Sequence, residues 1–294
     1  MPSPGRRSGV VVVGDAALDV TARHTGPVVP GGDLRARVRF TGGGAGANTA
    51  LWLSSLDVDT TLVTRVGDDT GGELVRGELS EAGVRCAFTV DPEAPTCCVV
   101  VLVDEHGERS MLADRGANAR LRPEDIKIPD GAAHLHLSGY VLLEESSRPA
   151  GLAALAAAKR AGLTTSVDPQ AAALITGSFL DDISGVDLLL PNTGELVALT
   201  GSPDPESAKA LLDTVGAVAV TAGREGASWV DRDGITTVPA EHADCVNSTG
   251  AGDAFDAGVL AAWLAGASTV DVLRAGTRLG ARAVTQSGAR VPGP

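Results

Sequence analysis

The chain has 294 residues, 44% hydrophobic and 21% charged, with 24 lysines and arginines against 37 aspartates and glutamates, a net charge of −13. That length allows one large domain or two small ones and a core that needs no disulfide or metal, and the composition argues against wholesale disorder. The acidic excess, the absence of a basic stripe and an aromatic content of 3% argue against a nucleic-acid partner.

Met1 to Arg7 reads as a frayed terminus, because its arginine pair is followed by no adequate apolar segment or small-residue cleavage site. Val10–Val13 is a continuous β-branched run ending at Gly14-Asp15, the pattern of a strand buried on both faces. Residues 19–40 are rich in Gly, Pro and scattered Val, and read as short strands outside the main sheet. Asn48–Leu56 is helix-compatible, Thr60–Val66 reads as a strand, and Asp69–Ala82 reads as a helix stopped by Gly83. Phe88–Val90 and Thr96–Val103 give strands. A turn at Asp104–Gly107 and a return strand over Arg109–Leu112 complete a hairpin signature.

From His134 onward strands and helices alternate. Strands are expected at His134–Ser138, Leu163–Val167, Asp187–Leu190 and Ala217–Thr221, and a hairpin at Ala227–Val230 with Ile235–Val238. Helices are expected at Pro149–Ala161, Gly194–Leu199, Glu206–Thr214, Gly252–Leu264 and Val270–Thr285. This alternation predicts an α/β fold, a mostly parallel central sheet covered by helices on both faces. One domain over residues 1–294 is expected, carrying a small β appendage from about 19–40 and 88–112. No apolar run reaches the roughly 18–20 residues of a membrane span. Cys86, Cys97, Cys98 and Cys245 form no Cys-x-x-Cys and read as buried free thiols in a reducing compartment, the cytoplasm.

Ligands of open α/β sheets bind beyond the carboxyl ends of the strands. The most informative segment there is Asn247-Ser248-Thr249-Gly250-Ala251-Gly252-Asp253-Ala254-Phe255. Small residues at a helix start let backbone N–H groups approach an anion. An aspartate there is placed to take a proton from a hydroxyl attacking a phosphoryl group, or simply occupies a first helical turn. The chain has no P-loop and no Gly-x-Ser-x-Gly elbow, and the run Gly42–Thr49 lacks the third glycine of a dinucleotide fingerprint. His134 and His136 share a strand face and read as core histidines rather than metal ligands.

Four motifs in one order carry a resemblance. Ser248–Phe255 resembles the C-terminal signature of the PfkB (ribokinase-like) carbohydrate kinases, and Gly43-Gly44-Ala45-Gly46-Ala47-Asn48 resembles their N-terminal glycine signature. Pro191-Asn192-Thr193-Gly194-Glu195 is similar to their Asn-x-x-Glu motif. Thr221-Ala222-Gly223-Arg224-Glu225-Gly226 is similar to their nucleotide loop. The resemblance spans Val10 to about Pro292.

The resemblance implies a ribokinase-like fold with a β lid, and transfer of the γ-phosphoryl group of Mg-ATP to a hydroxymethyl group of a small sugar. By it, Asp253 is the general base, and Gly250, Ala251 and Gly252 form the anion hole with the Asp253 amide. Asn192 and Glu195 organise Mg2+ and phosphate, largely through water. Thr221, Gly223 and Gly226 line the nucleotide site. Asp19, Gly43, Gly44 and Asn48 hold sugar hydroxyls, although Asn48 also suits a helix N-cap. Asp15 reads as a turn aspartate, Arg115 as a surface arginine with reach towards substrate, and Asp168 as a candidate on the substrate side.

Two departures stand out. Asn247-Ser248 occupies the place where the family most often has Asp-Thr, so a monovalent cation held there would lose a charged ligand and potassium activation would be weak or absent. Ser138-Gly139-Tyr140 replaces a sugar-contacting glutamate of ribokinase. The alternatives are a nucleoside kinase of adenosine or pseudouridine type, and a non-catalytic sugar- or nucleotide-binding regulator. A homodimer paired through the lid is expected, because an apolar strand such as Thr96–Val103 would not stay in water.

Overall fold

Four consecutive valines, Val10–Val13, are buried to 1% exposure or less, and they set the plan of the molecule. Successive side chains of a strand point to opposite faces, so such a run needs cover on both. Val10 and Val12 pack with Leu51, Leu79 and Leu260 on one face; Val11 and Val13 pack with Ala154, Ile183 and Leu196 on the other.

A computed structural model describes residues 9–286. Met1–Arg7 and Pro292, which entered the sequence reading, lie outside the described residues. In chain order the strands are β1 Gly9–Val13, β2 Ala17–His24, β3 Ala36–Gly43, β4 Thr60–Gly67, β5 Arg85–Asp91, β6 Cys97–Val103, β7 Arg109–Asp114, β8 Ala132–Ser138, β9 Thr164–Asp168, β10 Leu188–Leu189, β11 Ala217–Thr221, β12 Ala227–Asp231 and β13 Gly234–Val238. The helices are α1 Ala45–Ser54, α2 Thr70–Glu81, α3 Tyr140–Leu143, α4 Arg148–Ala161, α5 Phe179–Asp182, α6 Thr193–Thr200, α7 Ala251–Leu264 and α8 Thr269–Val284.

The main sheet runs β13-β12-β11-β10-β9-β8-β1-β4-β5. It is parallel except where β12 pairs antiparallel with β11 and β13. The chain leaves β1 towards β4 on one side and returns to β8 on the other. The sheet therefore has its topological switch between β1 and β8, where a crevice opens beyond the strand ends. A second sheet, β3-β2-β6-β7, stands apart from it.

Several expectations need correction. Phe88–Val90 belongs to the main sheet, not the appendage: β5 follows the crossover helix α2 and pairs parallel with β4. The segment Pro205–Asp213 is 3-10 rather than α-helical. Asn48 lies inside α1, whose N-cap is Gly44. Cys245 is exposed, and Cys86 and Cys98 are half-buried; of the four thiols only Cys97 is buried. The histidines behave as expected. His134 and His136 are fully buried, both accept or donate at the Ser166 hydroxyl at 2.8 Å, and burial pushes them down to about 3 and about 4, so they stay neutral. Among the described residues no helix is long and apolar enough to cross a membrane.

Candidate active site

The site forms along the carboxyl edge of the main sheet, where α7 begins. Gly250 caps α7 at φ 78°, a left-handed conformation that glycine adopts without Cβ strain. Ala251 and Gly252 follow with no bulk over the first turn; the Ala251 amide donates to the Ser248 carbonyl at 3.3 Å, contrary to its expected place in the anion hole, which leaves the amides of Gly250, Gly252 and Asp253 for an anion. Asp253 is the acidic residue of that turn and is buried.

Asn48 comes from α1, far away in sequence, and its Nδ2 donates to Asp253 Oδ2 at 2.8 Å. The Oδ1 of Asn48 is buried and takes no hydrogen bond among the described residues, leaving an unspent acceptor on the residue that holds Asp253. Gly44 makes this approach feasible: it sits at φ 93°, and a Cβ there would fall 2.6 Å from the Asp15 carbonyl oxygen. Gly43 lies against Asp19, since a Cβ on it would fall 2.3 Å from the Asp19 carboxyl carbon. Gly43, Gly44, Asn48, Asp19 and Asp253 therefore come together.

Burial raises the Asp253 carboxyl to about 7, and the Asp19 charge adds to this, against hydrogen bonds from Asn48 and Gln170. Behind it lies a buried carboxyl pair. Burial holds both Asp168 and Asp256 well above the usual range, with a hydrogen bond between them. Gln170 bridges Asp168 to Asp253. Its Nε2 donates to Asp168 Oδ2 at 2.6 Å, and it sits at φ 71°, a strained conformation for a side-chain residue.

Asn192 and Glu195 form a capping box on α6. Asn192 Oδ1 accepts from the Glu195 amide at 3.0 Å, while Glu195 accepts from the Asn192 amide at 2.8 Å and from Asn192 Nδ2 at 2.6 Å. Burial raises the Glu195 carboxyl, and the Asn192 bonds pull the other way. Both carboxylate oxygens are occupied, so any metal held here keeps most of its waters. Among the described residues no three His, Cys, Asp or Glu side chains are placed to ligate a metal directly. Thr221 ends β11, and Gly223 and Gly226 shape the turn behind it. These three line a cavity of about 770 Å3 that reaches Ala251 and Gly252. One open space thus joins the nucleotide-loop motif to the start of α7.

Asn247 is engaged by protein groups. Its Oδ1 accepts from Arg109 Nη1 at 2.6 Å and from the Thr249 amide at 2.8 Å, and Arg109 also donates to the Thr249 hydroxyl. Arg109 lies on β7 of the small sheet, so that sheet touches the loop before α7. Asp15 and Arg115 also differ from their sequence reading. Asp15 is buried, and Arg115 holds it with two bonds, 2.5 and 3.1 Å. The Arg115 guanidinium carbon lies 5.1 Å from the Tyr140 ring centre, and its Nε is buried with no partner among the described residues.

Gln170, Arg109 and Asp256 were missed, and the sequence reads Arg115 as a surface arginine with reach towards substrate rather than as the partner of a buried Asp15. Asp256 carried a signal, one helical turn beyond Asp253 on the same face. Gln170 with Asp253, Arg115 with Asp15 and Arg109 with Asn247 depend on pairings between distant parts of the chain, which local patterns do not encode.

A parallel sheet with a carboxyl at a helix N-terminus, opening on a shared cavity, is the ribokinase-like arrangement. The chain belongs to the pfkB family of carbohydrate kinases, whose family model matches residues 7–294. It is 34% identical over 288 residues to an ATP-dependent ribose-1-phosphate kinase of Halopiger xanaduensis, covering 96% of this chain and 93% of the relative. It is 33% identical over 267 residues to a fructokinase of Klebsiella pneumoniae, covering 85% and 82%. An Escherichia coli protein of the ribokinase II type, solved with ATP and Mg2+, superposes with a TM-score of 0.86 at 25% identity, over 96% of this chain and 94% of that one.

Proposed function

We propose that the protein transfers the γ-phosphoryl group of ATP to a hydroxymethyl group of a small sugar, with Asp253 as general base. The observation that carries this is the meeting of Asp253, Asn48 and Asp19 at the first turn of α7, with the Asp253 carboxyl raised to about 7. A base poised near working pH accepts a hydroxyl proton efficiently. The sugar oxygen bonds to the γ-phosphorus, the bond from that phosphorus to the ADP oxygen breaks, and the hydroxyl proton passes to Asp253. The amides of Gly250, Gly252 and Asp253 stabilise the charge that develops on the transferring group, and Ala251 keeps the turn free of bulk.

Asp19, Asn48 and the Gly43–Gly44 backbone hold sugar hydroxyls, and Thr221, Gly223 and Gly226 line the nucleotide space. Bound Mg2+ would neutralise phosphate charge; Asn192 and Glu195 would hold it through water, which suits a carboxylate already spent on a cap. Asn247 fits a site without a strong monovalent cation, because the Arg109 guanidinium already supplies positive charge at its Oδ1. The ATP and Mg2+ in the Escherichia coli relative and the sugar substrates named for the two curated relatives support the reading. The small sheet acts as a lid and pairs with a second copy. The four free thiols suit the reducing cytoplasm.

The test is ATP consumption by the purified chain with a panel of pentoses, hexoses, their phosphates, and nucleosides including adenosine and pseudouridine. Sugar-dependent release of ADP, with the phosphate on a hydroxymethyl carbon of the product, is expected. Turnover of nucleosides alone would overturn the sugar assignment, and ATP binding without turnover of any acceptor would favour a regulator.

A further inference from the structure

The register of the small sheet sorts its side chains onto two faces. Directly paired residues share a face. One face carries the rows Thr41–Asp19–Val99–Ala113, Arg39–Thr21–Val101–Met111 and Arg37–Arg23–Val103–Arg109 across β3, β2, β6 and β7. Two contacts show where this face looks. Asp19, at one end, lies against Gly43 and acts on the Asp253 carboxyl. Arg109, at the other end, reaches Asn247 and Thr249 beside the start of α7. The face between them therefore overlies the cleft.

Its ionisable groups on the strands are four arginines, Arg23, Arg37, Arg39 and Arg109, against the single carboxylate Asp19. In a chain of net charge −13 this is a strong local reversal of sign. Arg109 is committed to the loop. Arg23, Arg37 and Arg39 are exposed and, among the described residues, hold no carboxylate. Three unneutralised guanidinium groups side by side repel one another, so their placement favours a bound anion.

We infer that this face binds an anionic group already present on the acceptor, so that the substrate is a phosphorylated sugar and the product carries two phosphate esters. The inference rests on the kinase reading above and narrows its substrate. Asp19 marks the row that meets the sugar hydroxyls, and the Arg39 row lies two residues further along the strand, about 7 Å away. That separation matches a sugar held by its hydroxyls at one row with its existing phosphate at the next. Arg37 and Arg23 stand one row beyond, within the reach of long side chains.

The experiment compares the same sugar with and without its phosphate, ribose against ribose 1-phosphate and fructose against fructose 1-phosphate, in wild type, Arg39→Ala and Arg37→Ala/Arg39→Ala. The expected result is a wild-type kcat/KM about a hundredfold or more higher for the phosphorylated member of one pair. Each arginine removed should raise the KM for that substrate roughly tenfold, the loss of one charged hydrogen-bonding partner, while the KM for ATP stays within twofold. The same KM should rise with added salt, because the guanidinium groups are exposed. Equal or better turnover of the free sugars would overturn the anion site and leave the kinase reading standing. A rise in the KM for ATP on removing the arginines would assign the face to the nucleotide and overturn it too. Absence of turnover with every sugar and sugar phosphate would remove both readings.

Discussion

Asp253 needs to be unprotonated to accept a proton, and burial has moved its pKa to about 7. Activity should therefore fall as pH drops below 7, by about tenfold per unit once most of the carboxyl is protonated, and level off above. A profile of kcat/KM flat between pH 5.5 and 8 would contradict this. The same shift has a consequence for stability. Asp253, Asp168, Asp256 and Glu195 all have folded pKa values raised above the unfolded carboxylate range. Their folded forms bind protons more tightly, so stability is fully present below about pH 4 and is lost as pH rises, through about 7 for Asp253. Asp91, lowered by the Ala94 and Glu93 amides, acts in the opposite sense only as pH falls below about 4. Asp256→Asn keeps a donor towards Asp168 and removes one buried ionisable carboxyl. It should raise Tm at pH 8 by about 2–4 °C and flatten the pH dependence. An unchanged or lower Tm in calorimetry would sink the claim that the pair costs stability above neutrality.

At the scale of elements, Arg109 joins β7 of the small sheet to Asn247 and Thr249 in the loop before α7. If that loop forms the proposed anion hole, a movement of the small sheet would be felt there. Turnover at fixed ionic strength should agree within about twofold in potassium, sodium and a bulky organic cation, because the guanidinium already supplies the charge. Strong selective activation by potassium in wild type, unchanged in Asn247→Asp, would contradict it. The elements themselves were largely legible. Val10–Val13 could only be a doubly buried strand, and Gly162 and Gly83 stopped α4 and α2 where expected. The motifs singled out Asp253 and Glu195, each in the first turn of a helix, and Asn48, which the structure brings against Asp253 from inside α1. Arg109 was not legible, and for Arg115 the partner was not, since Asn247 and Asp15 lie 138 and 100 positions away from them. The helical reading of Glu206–Thr214 failed because local apolar spacing of this kind does not separate an α-helix from the 3-10 helix observed over Pro205–Asp213.

At the scale of the whole molecule, the small sheet leaves an apolar face open among the described residues. The face of the small sheet opposite the arginines carries Val38, Phe40 and Leu112, exposed at 51%, 59% and 59%, with Val20, Val100 and Leu102 between them in register. A flat apolar sheet face of this kind invites cover, which the proposed second copy would supply by presenting the same face through two-fold symmetry. Wild type should sediment as a dimer at micromolar concentration, and Phe40→Asp as a monomer, since the new carboxylates would meet a dry surface. A monomeric wild type would contradict the pairing.

The central claim is proton removal by Asp253 during phosphoryl transfer to a sugar, and Asp253→Asn tests it most directly. The asparagine can keep a hydrogen bond with Asn48 but cannot accept the proton. The measurement is turnover with the best sugar of the panel, alongside ATP affinity by calorimetry, in wild type and variant. The account predicts a loss of about 10²–10⁴-fold in kcat with ATP affinity within about threefold of wild type. Retention of more than about a tenth of wild-type turnover would show that the base lies elsewhere.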